Sequence, residues 1–249
     1  MRNGFPIYDT HTHIGRARHS GMRFTAEDML RSMDGYGVER AVLIPYPVVE
    51  DHRAAHDEIG AAVAAHPDRF TGAICLNPFI PEQEFRDEAA RCVEKLGLRA
   101  LKLQPQYQPL NPVSPRSDFF FETAARHRLP IIAHTGSGVP FSLPSLFIAP
   151  ARRFPEATIV LGHAGGPTYA LEAIVAASVC ENIYIELSSL MPHHVLEVLA
   201  HVPPTRLMAG SDLPASLSTE IGKILDLPVE DTVKRAILWE TPRRVFDGA

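Results

Sequence analysis

Apolar residues gather in this chain into eight short runs, at 5–10, 38–45, 70–76, 98–103, 130–134, 158–163, 182–187 and 206–210. Several runs are unbroken and rich in β-branched residues, as in Ile131-Ile132-Ala133 and Thr158-Ile159-Val160-Leu161. Apolar continuity without alternation is what a parallel strand covered on both faces requires. Between the runs the spacing turns helical, and helices are predicted over 26–33, 54–65, 82–96, 118–127, 145–154, 168–178, 193–201, 218–225 and 230–239. Thr25-Ala26-Glu27-Asp28 has the form of a capping box that opens the first of these, and Gly97 is placed to end the third. Eight strands alternating with helices in 249 residues predict a single α/β domain over 1–249, a (β/α)8 TIM barrel. The rival architecture, an open doubly wound sheet, carries a glycine-rich phosphate loop after its first strand. Here the first strand leads instead into His11-Thr12-His13.

Composition narrows the function. With 45% hydrophobic and 21% charged residues the chain has enough apolar content for a large core. The net charge of -5 comes without a basic block, so no nucleic acid is expected as a partner. No apolar stretch has the length of a membrane span, and the N-terminus lacks a secretory pattern. Cys75, Cys92 and Cys180 are odd in number and far apart, which suits core fillers in a reducing, cytoplasmic setting. Twelve histidines are enough to build a metal centre.

In a barrel of this kind the chemistry sits at the C-terminal ends of the strands. Reading those ends in order gives His11 and His13, then Lys102, His134, His163, Glu186 and Asp212. Two histidines at i and i+2 of a strand leave on one face, a beginning for a divalent metal site. Each residue also has a plainer role open to it. His134 or His163 could be a capped core histidine, Asp212 could cap a turn, and Lys102 could reach the rim from an apolar strand. It is the recurrence of nitrogen and oxygen donors at four strand ends that favours a metal.

These motifs resemble the amidohydrolase superfamily, in its amidohydrolase-related branch with the aminocarboxymuconate semialdehyde decarboxylase-like enzymes. The resemblance runs from His11-Thr12-His13 to Trp239-Glu240-Thr241-Pro242-Arg243-Arg244-Val245-Phe246. In that closing segment Glu240-Thr241-Pro242 stands where Gly-Asn-Ala is usual. The resemblance implies one divalent metal ion, with zinc expected first and manganese as an alternative. It implies His11, His13 and His134 as imidazole ligands, Asp212 as the carboxylate at the metal and the catalytic acid/base, and His163 in a catalytic or orienting role. Lys102 within Leu98-Arg99-Ala100-Leu101-Lys102-Leu103 looks like the branch's unmodified lysine rather than a carboxylated, metal-bridging one. A homodimer is also compatible with the branch.

A metal so held can activate water, with Asp212 taking its proton and returning it to a leaving group. The same centre can run a decarboxylation with Asp212 or His163 protonating carbon. Branch decarboxylases tend to be longer, so the short chain favours hydrolysis of an ester, lactone or amide. The alternatives are non-oxidative decarboxylation of a small aromatic or unsaturated acid and an inactive, metabolite-binding barrel. Arg16, Arg18 and His19 after the first strand, with Lys102, predict a locally positive mouth and a carboxylated, anionic substrate. Tyr107 and Glu186 are further expected contacts, and Tyr46 and His52 are lesser candidates.

Overall fold

Alternate residues of each strand fall into two separate apolar cores. In the computed structural model, which describes residues 1–248, the strands are β1 (Tyr8–Arg16), β2 (Arg23–Phe24), β3 (Arg40–Pro45), β4 (Phe70–Cys75), β5 (Ala100–Leu103), β6 (Ile131–His134), β7 (Ile159–Gly162), β8 (Ile183–Glu186) and β9 (Leu207–Met208). β2 is a two-residue antiparallel addition to β1. The other eight pair in parallel in chain order from β1 to β9. Backbone bonds then close the ring: Thr10 N–H donates to the Ala209 carbonyl at 2.9 Å, and His13 N–H to the Asp212 carbonyl at 3.0 Å. The expected barrel is therefore present, with a narrow seam between its last and first strands.

The helices are α1 (Ala26–Tyr36), α2 (His52–Ala65), α3 (Glu82–Leu96), α4 (Asp118–His127), α5 (Ile148–Arg153), α6 (Gly166–Val179), α7 (Pro192–His201), α8 (Leu217–Leu225), α9 (Asp231–Arg235) and α10 (Thr241–Phe246). Thr25 and Asp28 form the expected reciprocal capping box at the start of α1, and Gly97 ends α3 in the left-handed region at φ 68. The predicted helix 230–239 is broken. α9 passes into a wide π turn at Ala236–Glu240 before α10 begins. Pro242 has no N–H to give to Leu238, so the regular ladder cannot run through this point.

The outward strand residues, among them Ala41, Leu43, Leu101, Ile131, Ala133, Ile159, Leu161 and Ile185, pack beneath the helices. The inward ones, Tyr8, Val42, Ile44, Ala73, Cys75, Ala100, Ile132, Val160 and Met208, fill the barrel. The two-residue period of a strand then sets the next inward positions. One step beyond Ala100 the next inward side chain is Lys102, beyond Ile132 it is His134, and beyond Tyr184 it is Glu186. The same alternation that packs the barrel lifts these groups to its C-terminal mouth.

β1 runs on to Arg16, well past the end of the predicted first strand, so His11 and His13 lie inside it. Its pairing with β3 slips between Asp9 and Thr12. At the slip the backbone turns to the seam, where the His11 carbonyl accepts from Ser211 N at 3.0 Å and Asp212 N at 2.6 Å. A bulge of this kind re-aims side chains next to a site.

Candidate metal centre

The hydrogen bonds of four imidazoles fix where their lone pairs point. His11 Nδ1 donates to Glu186 Oε2 at 2.9 Å, and its Nε2 stands 3.7 Å from Asp212 Oδ1. His13 Nδ1 donates to the Pro45 carbonyl at 3.2 Å, leaving Nε2 4.0 Å from the same Oδ1. The Ser188 hydroxyl donates to Glu186 Oε2 at 2.9 Å, so it accepts from His163 Nδ1 at 2.7 Å. That leaves His163 Nε2 as a lone pair, 3.8 Å from Asp212 Oδ1. His134 Nε2 donates to the Ser137 carbonyl at 2.9 Å, and its buried Nδ1 has no partner. Each ring thus gives its one N–H to an outer acceptor. Three lone pairs ring a single carboxylate oxygen.

Burial pushes all four imidazoles below the usual histidine range. His11 and His13 are lowered further by Lys102, and His163 by His11. His134 is lowered to about 3, by burial and then by His163. They are held as neutral donors, the form that ligates metal. His11, His13 and Asp212 each bring a ligand atom within 4.8 Å of the others. Ligands about 2.1 Å from a tetrahedral zinc stand about 3.4 Å apart, close to the separations here. The donor set and the orphaned His134 Nδ1 fit a divalent cation.

Beneath the rings lies a carboxylate with no free capacity. Glu186 is fully buried. Its Oε2 accepts from His11 Nδ1, His163 N–H at 3.1 Å and Ser188 Oγ, and its Oε1 from Ser188 N–H at 2.6 Å. A carboxylate bonded in this way can orient histidines for a metal. Asp9 is also fully buried, and burial raises it to about 7. It accepts from Ser211 N–H at 2.9 Å, from Ser211 Oγ at 2.5 Å and from His11 N–H at 3.2 Å, which ties the seam to the first histidine. Gly210 leaves no room for a side chain, since a Cβ there would lie 2.6 Å from His11 Cβ and 2.9 Å from Glu186 Oε1. His163, Ser189 and Asp212 all take left-handed backbone at φ 64, 63 and 62. Such strain in non-glycine residues gathers at functional sites.

Lys102 Nζ lies 2.7 Å from His11 Nε2, and burial lowers its amine to about 8. That contact uses the lone pair that also faces Asp212, so a cation on His11 Nε2 and the Lys102–His11 bond exclude each other.

A cavity of about 160 Å³ opens above the cluster, lined by His13, His19, Met22, Tyr46, Gln104, Gln106, Tyr107, His134, His163, Asp212 and Leu213. Tyr46 stacks on His13 at 5.2 Å between ring centres, and His19 lies on Tyr107 at 4.2 Å. Burial first, and then the Asp212 charge, push the Tyr46 phenol up to about 12. Asp212 is the cavity's one lining carboxylate among the described residues, and its side chain is 38% exposed against nearly buried histidines.

The expected residues are therefore sorted. His11, His13, His134, His163 and Asp212 come together. His19 and Tyr107 line the cavity. Glu186 and Lys102 do not border it: both are fully buried, Lys102 against His11 Nε2 and Glu186 saturated by donors. Arg18 and Arg16 line a different cavity of about 310 Å³, beside Glu50, Asp51 and Glu58. There Arg18 N–H is held by the Val48 carbonyl, and the acidic neighbours offset the positive charge expected at the mouth. His52 is also elsewhere, 3.3 Å from the Cys75 carbonyl. Asp9, Ser188, Ser211 and Gln104 were not singled out by sequence. The Asp9-x-His11 and Glu186-x-Ser188 spacings at strand ends were the available signals.

One consequence is acid lability. His11, His13, His56, His134 and His163 all titrate lower in the fold than the roughly 6.5 of an unfolded histidine, burial being the main cause in each. Below about pH 6.5 the unfolded chain then binds protons that the native state refuses, so stability falls as pH falls. Asp9 opposes this with one proton between about pH 4 and 7. We expect thermal denaturation to give a Tm that drops from pH 7 to pH 5. A rising Tm over that window would mean that the rings are charged in the native protein.

Residues 8–248 match the family model described as Amidohydrolase, and the chain belongs to that family. It is accordingly a metal-dependent enzyme. No curated protein matches it in sequence. Similar solved structures include 2,6-dihydroxybenzoate decarboxylase from Rhizobium, at 15% identity and a TM-score of 0.78, covering 98% of this chain and 99% of that one. Another is 5-carboxyvanillate decarboxylase from Novosphingobium aromaticivorans, complexed with manganese and 4-hydroxy-3-methoxy-5-nitrobenzoic acid, at 15% identity and 0.76, covering 98% and 96%. A third is a probable 2-pyrone-4,6-dicarboxylic acid hydrolase from Acinetobacter baumannii, at 15% identity and 0.70, covering 98% and 100%. At such identities they share the fold. No helix among the described residues is long and apolar enough to cross a membrane.

Proposed function

We propose that this enzyme is a metal-dependent, non-oxidative decarboxylase of a small unsaturated carboxylic acid. The reading inverts the order expected from chain length. Its main support is the small cavity, walled by Tyr46, Tyr107, His19, Met22 and Leu213, with a single carboxylate at its base. Pockets for drug-sized ligands begin near ~300 Å³, and 160 Å³ suits a smaller acid. Loss of carbon dioxide disperses the negative charge of a carboxylate, and a cavity that sheds water favours such a step.

His11, His13, His134 and Asp212 would hold one cation, zinc or manganese, with His163 facing the substrate. A cation held there would supply Lewis acidity toward a carboxylated, oxygen-bearing substrate. The carbon–carboxylate bond then breaks, carbon dioxide leaves, and the electron pair stays on carbon. Asp212 takes a proton from the substrate's adjacent hydroxyl or from solvent and delivers it to that carbon, and His163 Nε2, an acceptor in this tautomer, can receive a hydrogen bond from the substrate. Glu186 acts through the His11 Nδ1–H, while the Lys102–His11 bond gives way when a cation binds.

The deciding experiment offers the metal-loaded protein hydroxybenzoate-type acids, lactones, esters and amides, and measures carbon dioxide and hydrolysis in parallel. Metal-dependent carbon dioxide release is expected. Hydrolysis without carbon dioxide would make the enzyme a hydrolase, and ligand binding without turnover would make it a binding barrel.

A further inference from the structure

Besides His134 Nδ1, two polar atoms on residues that line the cavity have no partner within the protein. The Tyr46 hydroxyl is buried without a hydrogen bond, on a residue 3% exposed. Gln104 Oε1 is buried in the same way, on a residue 8% exposed. Both residues line the cavity that holds Asp212, His134 and His163. A buried polar group without a partner destabilises a fold, and such groups are few in native proteins. Two of them on residues that line one small cavity are better explained by a ligand that pairs them than by chance.

Their positions are held firmly. The Tyr46 ring is stacked on His13 at an interplanar angle of 17° and forms the wall between this cavity and its larger neighbour. Gln104 follows β5 directly, and its backbone is fixed at both ends. Its N–H donates to Gln108 Oε1 at 3.0 Å, and its carbonyl accepts from Tyr107 N at 3.0 Å and Gln108 N at 2.9 Å. Gln108 in turn donates to the Leu76 carbonyl at 3.2 Å. The amide of Gln104 is thus carried on a braced loop, and its oxygen is left free.

We infer that Tyr46 and Gln104 are specificity-determining residues that read a hydroxyl substituent of the substrate, away from the reacting carboxylate. A phenol offers a proton, and an amide oxygen asks for one. A hydroxyl is the smallest substituent that accepts the first and supplies the second. An analogue without it leaves two buried groups unpaired, the situation in which protein sites discriminate most strongly. The inference rests on the carboxylated substrate proposed above and adds a second recognition point to it.

The test uses binding and stability, so it does not depend on turnover. The metal-loaded protein is titrated with 2-hydroxybenzoate and with its 2,3-, 2,4-, 2,5- and 2,6-dihydroxy counterparts. We expect one dihydroxy isomer to bind about tenfold tighter than 2-hydroxybenzoate, a difference of about 1.4 kcal/mol. In Tyr46→Phe and in Gln104→Leu that preference should shrink to about threefold or less, with 2-hydroxybenzoate itself bound as in the parent. The ligand-free variants should melt at or above the parent Tm, because each removes an unpaired buried atom. A preference unchanged in both variants overturns the inference, as does the absence of any preferred isomer in the parent. A lower Tm for Tyr46→Phe would show that the hydroxyl serves the fold. The decarboxylase reading is judged separately, by carbon dioxide release, so either can fail while the other stands.

Discussion

Asp212→Asn is expected to lower kcat by about two to four orders of magnitude at saturating metal, the usual range for loss of a positioned acid or base. The substitution isolates the charge. Residue 212 sits at φ 62, and asparagine tolerates that left-handed conformation as aspartate does. Its backbone bonds to His11 and His13 are made by main-chain atoms and survive. The Tm should therefore hold while turnover collapses. Metal affinity should also weaken, because an amide oxygen is a poorer ligand than a carboxylate, and the kinetics must be measured at full occupancy. An undiminished rate under those conditions would remove Asp212 from the chemistry.

Glu186→Gln should show the opposite profile. Four donors converge on the parent carboxylate, from the His11 ring, the His163 backbone and both the backbone and hydroxyl of Ser188. Glutamine offers one oxygen and adds an amide that can only donate, so at least one donor is left facing another. We expect metal affinity to fall about 10- to 100-fold, as for other outer partners of ligand histidines. We also expect a loss of about 1–3 kcal/mol of stability from the unpaired buried donor. Competition with a chelator measures the first, and thermal denaturation the second. Parent-like values of both would show that Glu186 does not brace the rings. Together the two variants separate the group that does the chemistry from the group that positions it.

The metal cluster was legible because its residue types are distinctive and strand ends are where a barrel keeps them. His11, His13, His163 and Asp212 converge as the strand order required. Depth was not legible. Lys102 and Glu186 looked like substrate contacts because they stand near the ends of strands, yet both are fully buried, Lys102 one step of strand period below His134 and Glu186 tied up by His11, His163 and Ser188. Direction after a strand was not legible either. Arg18 comes soon after the histidines in sequence, but the β1–β2 hairpin carries it toward α2. Nor does any residue pattern mark a side chain by the absence of its partners. From sequence Tyr46 is only a lesser candidate and Gln104 is not singled out, because the missing partners show only once the surrounding atoms are in place.

The seam of the barrel has a consequence for how the protein is made. The residues that lock His11, namely Ala209, Ser211 and Asp212, emerge from the ribosome about two hundred residues after it. No stretch of nascent chain short of that point can form the centre, however well its strands and helices have formed. The contacts that close the ring span nearly the whole chain, the kind of long-range pairing that forms slowly. Assembly of the site is thus a late event that depends on near-completion of the barrel. A chain cut before residue 209 would keep every histidine of the centre and still lack the centre itself.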